Sequence, residues 1–115
     1  MERMRIESER GGYTVLVGRD LVGRLGEVLD HEGVIRPCSC VTNVTVSPLY
    51  ARKAATAVGA GTPYELPDGE VHKRWVQVEA TCASWLEQGV HRSATVAAIG
   101  GGVVTDLVGF AAAVY

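Results

Sequence analysis

Apolar residues fall along the chain in short runs and helical stripes that alternate with breaker segments. Tyr13-Thr14-Val15-Leu16-Val17 is a β-prone run closed by Gly18. Asp20 then offers a side-chain cap to a helix carrying Leu21, Val22, Leu25, Val28 and Leu29 at helical spacing. After the breaker stretch 32–37, residues 38–42 are small and β-compatible, as a buried strand requires. Ser47-Pro48 joins a capping residue to a proline at the first helical position, where its missing N–H is no loss. Leu49, Tyr50 and the alanines continue that helix until Gly59-Ala60-Gly61. Tyr64-Glu65-Leu66 is a minimal strand, and Pro67-Asp68-Gly69 turns the chain into a helix with Trp75, Val78, Cys82, Trp85 and Leu86 on periodic positions. Gly89 stops it. Residues 95–99 form a nearly unbroken apolar strand of the type buried on both faces of a parallel sheet, followed by Gly100-Gly101-Gly102 and an apolar helix. In that helix Gly109, beside Phe110 and Ala111-Ala112-Ala113, marks a small-residue face suited to close packing on the sheet.

Strand and helix thus alternate from start to end, which predicts a Rossmann-like, doubly wound α/β domain with a parallel sheet and right-handed crossovers. At 115 residues the chain makes one domain, 1–115. Composition supports folding, with 47% hydrophobic and 21% charged residues. A net charge of -2 with eleven scattered Lys and Arg excludes the electrostatic footprint of a nucleic-acid binder. No apolar run approaches the roughly 20 residues of a membrane span, and no apolar segment follows Met1-Glu2-Arg3-Met4-Arg5. A cytoplasmic protein without a membrane partner is expected. The three cysteines are expected as thiols, with Cys38 and Cys40 packed on one strand face and Cys82 in a helix core. His31, His72 and His91 lack metal-ligand spacing and read as surface residues. Trp75 and Trp85, ten apart, read as core or interface packing rather than a stacking pair for adenine.

The glycine triplet is the first candidate site. A strand running into Gly100-Gly101-Gly102 puts side-chain-free backbone at the carboxyl edge of a parallel sheet, where open α/β folds bind ligands. Such a turn can adopt positive φ, and the N-terminus of the next helix favours a phosphate. The G-x-G-x-x-G fingerprint fails, because Thr105 occupies its third glycine position. A purely conformational strand-to-helix turn is the alternative reading.

The stretch Gly100-Gly101-Gly102-Val103-Val104-Thr105-Asp106-Leu107-Val108-Gly109-Phe110-Ala111-Ala112 closely resembles the GGGVxGDxxGFAA block of 3-dehydroquinate synthases. Leu66-Pro67-Asp68-Gly69-Glu70-Val71-His72-Lys73 resembles the LPDGExxK element of that family. Val41-Thr42-Asn43-Val44-Thr45-Val46-Ser47-Pro48-Leu49-Tyr50 is similar to its VTNxxxxPLY stretch. The resemblance covers essentially the whole chain, with the blocks in the family's order. It departs at Thr105, where the family carries glycine and where valiolone-type and deoxygadusol-type sugar phosphate cyclases are similar to this chain. The segment between Tyr50 and Leu66 is also a few residues short.

The resemblance implies the N-terminal, NAD-binding part of an enzyme that converts 3-deoxy-D-arabino-heptulosonate 7-phosphate to 3-dehydroquinate in the shikimate pathway. It implies that Asp68, Gly69, Glu70 and Lys73 hold the adenosine half of NAD, with Asn43 on the same side. Gly101, Gly102, Val103 and Asp106 would line the pyrophosphate and nicotinamide-ribose region. The residue types suit these roles, since carboxylates accept from ribose hydroxyls and lysine donates to hydroxyls or phosphate. A divalent metal, zinc or cobalt, and the sugar phosphate substrate are implied only for a C-terminal domain absent from this sequence, as is a homodimer for the full-length enzyme. Another cyclase of secondary metabolism, or a stand-alone nucleotide-binding module, are the alternative readings.

Overall fold

The computed structural model describes residues 1–115 throughout. Its first two strands, β1 (Glu2–Ser8) and β2 (Gly11–Val17), pair as an antiparallel hairpin separate from the main sheet. The strand expected at residues 13–17 is therefore present, but it does not begin a strand–helix alternation within one sheet. Its partner β1 escapes a reading of apolar runs because Glu2, Arg3, Arg5 and Glu7 interrupt it. Pairing supplies what the run lacks: Met4 lies opposite Val15 and Ile6 opposite Tyr13.

Helix α1 (Leu25–His31) is preceded by a 3₁₀ turn at Val22–Arg24 with no side-chain cap. Asp20, expected to cap it, instead takes the left-handed conformation at φ 58°, which a short acidic side chain tolerates as a turn residue. The hairpin is clasped to the end of α1 by Arg3, whose Nε and Nη2 donate to Glu32 Oε1 and Oε2 at 2.9 and 3.1 Å.

The main sheet is parallel and small, with β3 (Ser39–Asn43) between β4 (Tyr64–Leu66) and β5 (Val96–Ala98). Period-2 alternation sends its side chains to two cores. Val41, Leu66 and Ala98 pack on one face with α3 (Trp75–Gln88) and α4 (Gly102–Val114), through Trp85, Val104 and Leu107 among others. Cys40 and Ala97 point to the other face, against Ala55 and Val58 of α2 (Arg52–Val58) and Leu25 and Leu29 of α1. Helices on both faces of a parallel sheet make the fold doubly wound, as predicted. Glycines in the left-handed conformation end two helices where expected: Gly59 after α2 at φ 76° and Gly89 after α3 at φ 72°.

Several positions differ from expectation. Helix α2 is entered through a π turn at Ser47–Ala51 that carries Pro48 in its first turn. Ser47 does not cap it, and its hydroxyl is buried without a partner. Cys40 is buried, but Cys38 is exposed and precedes β3, so the two are not packed together. Burial pushes the thiols of Cys40 and Cys82 above the ordinary cysteine value, which keeps them protonated. On α3 only part of the periodic set faces the core: Trp85 is 1% exposed, whereas Trp75 and Leu86 are 66% and 71% exposed. Gly109 also faces outward, with nothing near a Cβ added there, so it does not admit the sheet. Ala111 takes the packed position, its carbonyl accepting from Cys82 Sγ at 3.7 Å. His31 and His91 are exposed and His72 is half-buried. No helix is long and apolar enough to cross a membrane.

Candidate functional site

Parallel strands bring their carboxyl ends to one edge, and every candidate residue lies at or just beyond it. Asn43 ends β3, residues 68–73 follow β4, and Gly101, Gly102, Val103 and Asp106 follow β5. The helix after β3 packs on one face and the helix after β5 on the other. Their loops therefore diverge and leave the crevice at which open α/β sheets bind ligands.

The turn after β5 is held from beneath. Ile99 N–H donates to the Val41 carbonyl at 2.9 Å, and the buried Thr42 hydroxyl donates to the Ile99 carbonyl at 2.7 Å. Gly100 is required for space, because a Cβ there would come 2.8 Å from Val104 Cγ2. None of the three glycines uses positive φ, contrary to the conformational freedom anticipated for them. At Gly101 and Gly102 an added Cβ would meet nothing within 4 Å, so the backbone is open to approach from outside. Gly101 is extended and precedes α4, whose opening N–H groups have no side-chain cap and no carbonyl partner within the helix. Thirteen residues of aligned peptide dipoles favour an anion there. Val103 is half-buried in the first turn. Thr105 is helical, and its hydroxyl donates back to the carbonyls of Gly101 and Gly102 at 3.3 and 3.2 Å. A β-branched residue fits that backbone without strain.

Lys73 draws together the charged candidates. Its Nζ donates to Asp106 Oδ2 at 2.9 Å and lies 3.9 Å from Glu70 Oε1. Glu70 and His72 bound a 3₁₀ turn entered from Gly69, whose φ of 115° few other residues could adopt. The hydrogen bond to Asp106, reinforced by the charges of Asp106 and Glu70, raises the Lys73 pKa above the ordinary lysine value, so this group is cationic at physiological pH. All three side chains remain open to solvent. Beside them runs a groove of about 300 Å³ between Lys73 and Asp106 and the edge-to-face pair Trp75–Phe110, ring centroids 5.7 Å apart. Two depressions of about 350 and 340 Å³ under the hairpin contain no candidate residue.

Asn43 and Asp68 form a second cluster. Asn43 Oδ1 accepts from the N–H groups of Thr45 and Val46 at 3.1 and 2.8 Å, while its Nδ2 donates to Asp68 Oδ1 at 3.3 Å. Thr45 Oγ1 donates to Asp68 Oδ2 at 2.7 Å. Thr45 was not among the candidates, although a threonine two residues after a strand-ending asparagine is a turn signal. No side-chain hydrogen bond links this cluster to Glu70, Lys73 and Asp106; only the backbone through Gly69 does. The edge thus offers uncapped N–H groups for a phosphate, and two carboxylates with one ammonium for hydroxyls and phosphate. No His, Cys, Asp and Glu side chains are grouped in threes or more to hold a metal ion.

Residues 63–115 match the family described as 3-dehydroquinate synthase N-terminal. The whole chain is similar to the 3-dehydroquinate synthase of Pseudomonas putida, 36% identical over 117 residues that span 100% of this chain and 32% of that relative. It is 35% identical over 120 residues to the 3-dehydroquinate synthase of Neisseria gonorrhoeae, spanning 100% of this chain and 33% of that one. A third relative so named, from Pseudomonas entomophila, is 34% identical over 117 residues, which span 100% of this chain and 32% of the relative. The chain spans about a third of the length of the curated relatives it matches.

Proposed function

We propose that the chain, which matches the 3-dehydroquinate synthase N-terminal family over residues 63–115 and resembles synthases so named along its whole length, is the N-terminal NAD-binding domain of an enzyme of that family. The whole enzyme so inferred is a cytoplasmic homodimeric lyase that cyclises 3-deoxy-D-arabino-heptulosonate 7-phosphate to 3-dehydroquinate with loss of phosphate. A C-terminal domain would supply its zinc or cobalt site and grip the substrate. The 115 residues alone are expected to bind cofactor without turnover.

One observation carries the NAD reading: Lys73 gathers Glu70 from the loop after β4 and Asp106 from α4 at the sheet edge that also presents the open Gly101-Gly102 backbone and the uncapped start of α4. That donor and acceptor set fits a dinucleotide. Glu70 and Asp106 would accept from ribose hydroxyls, Lys73 would donate to a hydroxyl or a phosphate, and the N–H groups of Gly102 and Val103 would receive the pyrophosphate beside Gly101. Asn43, Asp68 and Gly69 would shape the adenosine side. When bound, NAD would supply oxidation and re-reduction of a substrate alcohol, while these residues bind and orient it.

Amide NMR of the chain during titration with NAD tests the placement. Shifts should concentrate at Gly101, Gly102, Val103 and residues 69–73, and ADP-ribose should reproduce those on the β4 loop. Shifts confined to the hairpin or to α2 would contradict it.

A further inference from the structure

The geometry points to Thr45, acting with Asp68, as a positioning residue that sets the loop carrying Glu70 and Lys73; the role rests on the NAD reading above. Beyond the last ladder pair, Asn43 with Leu66, one more backbone bond from Val44 N–H to the Leu66 carbonyl continues the sheet. Past that point the loops after β3 and β4 would part, and the only side-chain bonds between them are those to Asp68. Both carboxylate oxygens of Asp68 are engaged by protein donors, Oδ1 by Asn43 and Oδ2 by Thr45. The Asn43 amide is likewise engaged at both ends, with its oxygen on two backbone N–H groups. These side chains are therefore spent on one another, and they influence a ligand through the shape of the loop.

That shape passes directly to the charged cluster. Asp68 precedes Gly69, whose carbonyl accepts from His72 N–H at 3.0 Å, and the Glu70 carbonyl accepts from Lys73 N–H at 3.0 Å. Lys73 in turn reaches Asp106 across the edge. The bond of Thr45 to Asp68, at 2.7 Å, is the shorter of the two that anchor this loop, and it joins a hydroxyl to a carboxylate. Asn43 at the strand end is buried and held by two backbone N–H groups, so one side of the fastening is anchored in the sheet.

Thr45→Val keeps the shape of the side chain and removes the hydroxyl, whereas Thr45→Ser keeps the hydroxyl. With NAD as the probe, Thr45→Val should bind about fivefold more weakly than the unaltered chain, and Thr45→Ser should restore binding to within about twofold. Equal affinity of Thr45→Val and the unaltered chain, or failure of serine to rescue, overturns the role. Amide exchange of His72 and Lys73 separates this from the NAD reading: both amides should exchange faster in Thr45→Val only, with Val90 unchanged. If the unaltered chain does not bind NAD, the NAD reading fails while exchange still decides the fastening. Unchanged exchange at His72 and Lys73 would overturn it.

Discussion

Gly100, Gly101 and Gly102 look equivalent in sequence, yet each is glycine for a different reason. Gly100→Ala would press a methyl against Val104 at 2.8 Å and should destabilise the chain by about 1–3 kcal/mol, seen as a lower denaturation midpoint. Gly101→Ala has open space at φ -81° and should cost less than about 1 kcal/mol, mainly as a poorer cap, while weakening NAD by intruding on the approach. The same stability loss at both positions would contradict this division. Lys73 is predicted to be insensitive to pH over the working range. Its folded pKa is raised, so the contribution of its pairing is complete below the ordinary lysine value and is lost only as pH rises through the raised one. NAD affinity should be level between about pH 6 and 9 as far as this pair is concerned, and Lys73→Met should bind more weakly throughout. At this scale the blocks around Asp68 and Asp106 were legible as a set only through their resemblance to 3-dehydroquinate synthases, since Asp68-Gly69 alone reads as an ordinary turn and Asp106 alone as a helix charge. The split into a charged cluster and an internally satisfied one was not, since it depends on which hydrogen bonds close in space.

Helix stops were legible where glycine must take positive φ, as at Gly59 and Gly89, while β3 was legible from small β-compatible residues, β4 as a minimal strand and β5 from its apolar run. Caps were not: Asp20 and Ser47 are suitable residue types, but the chain turns at Asp20 and buries Ser47, while Asn43 satisfies the N–H groups ahead of α2. Strand β1 was missed because Glu2, Arg3, Arg5 and Glu7 interrupt its apolar positions, and its clasp to α1 is non-local, joining residues 29 apart. That clasp should be acid-sensitive. The hydrogen bond from Arg3 holds the Glu32 pKa below the ordinary carboxylate value, so its stabilisation is present above that value and is lost as pH falls through the lowered one. Asp30 is lowered in the same direction by Arg36, but that pair is only six residues apart and leaves the hairpin untouched. Amides of β1 and β2 should therefore gain exchange, relative to those of β3, as pH falls from about 5 to 3. Glu32→Gln should loosen the hairpin already at neutral pH and blunt the acid response. An unchanged acid response in Glu32→Gln would refute the clasp.

Over the whole molecule, alternation of strand and helix implied helices on both faces of a parallel sheet, and the two separate cores realise it. The order β4-β3-β5 and the position of the hairpin outside the sheet were not legible, because register and order are set by tertiary packing rather than by local pattern. Trp75 and Leu86 make the same point: both belong with Trp85 to the apolar set of α3, yet of the three only Trp85 meets the core. The topology matters to function because it places three loops at one edge, where Lys73, Asp106 and the open glycines converge. The most direct test is a calorimetric titration of the 115-residue chain with NAD, beside Asp106→Ala and His72→Ala, with circular dichroism to establish equal folding. Saturable binding is predicted, weakened about tenfold or more by Asp106→Ala and little changed by His72→Ala. No saturable heat at about millimolar NAD, or equal effects of the two substitutions, would contradict a cofactor site built on Asp106.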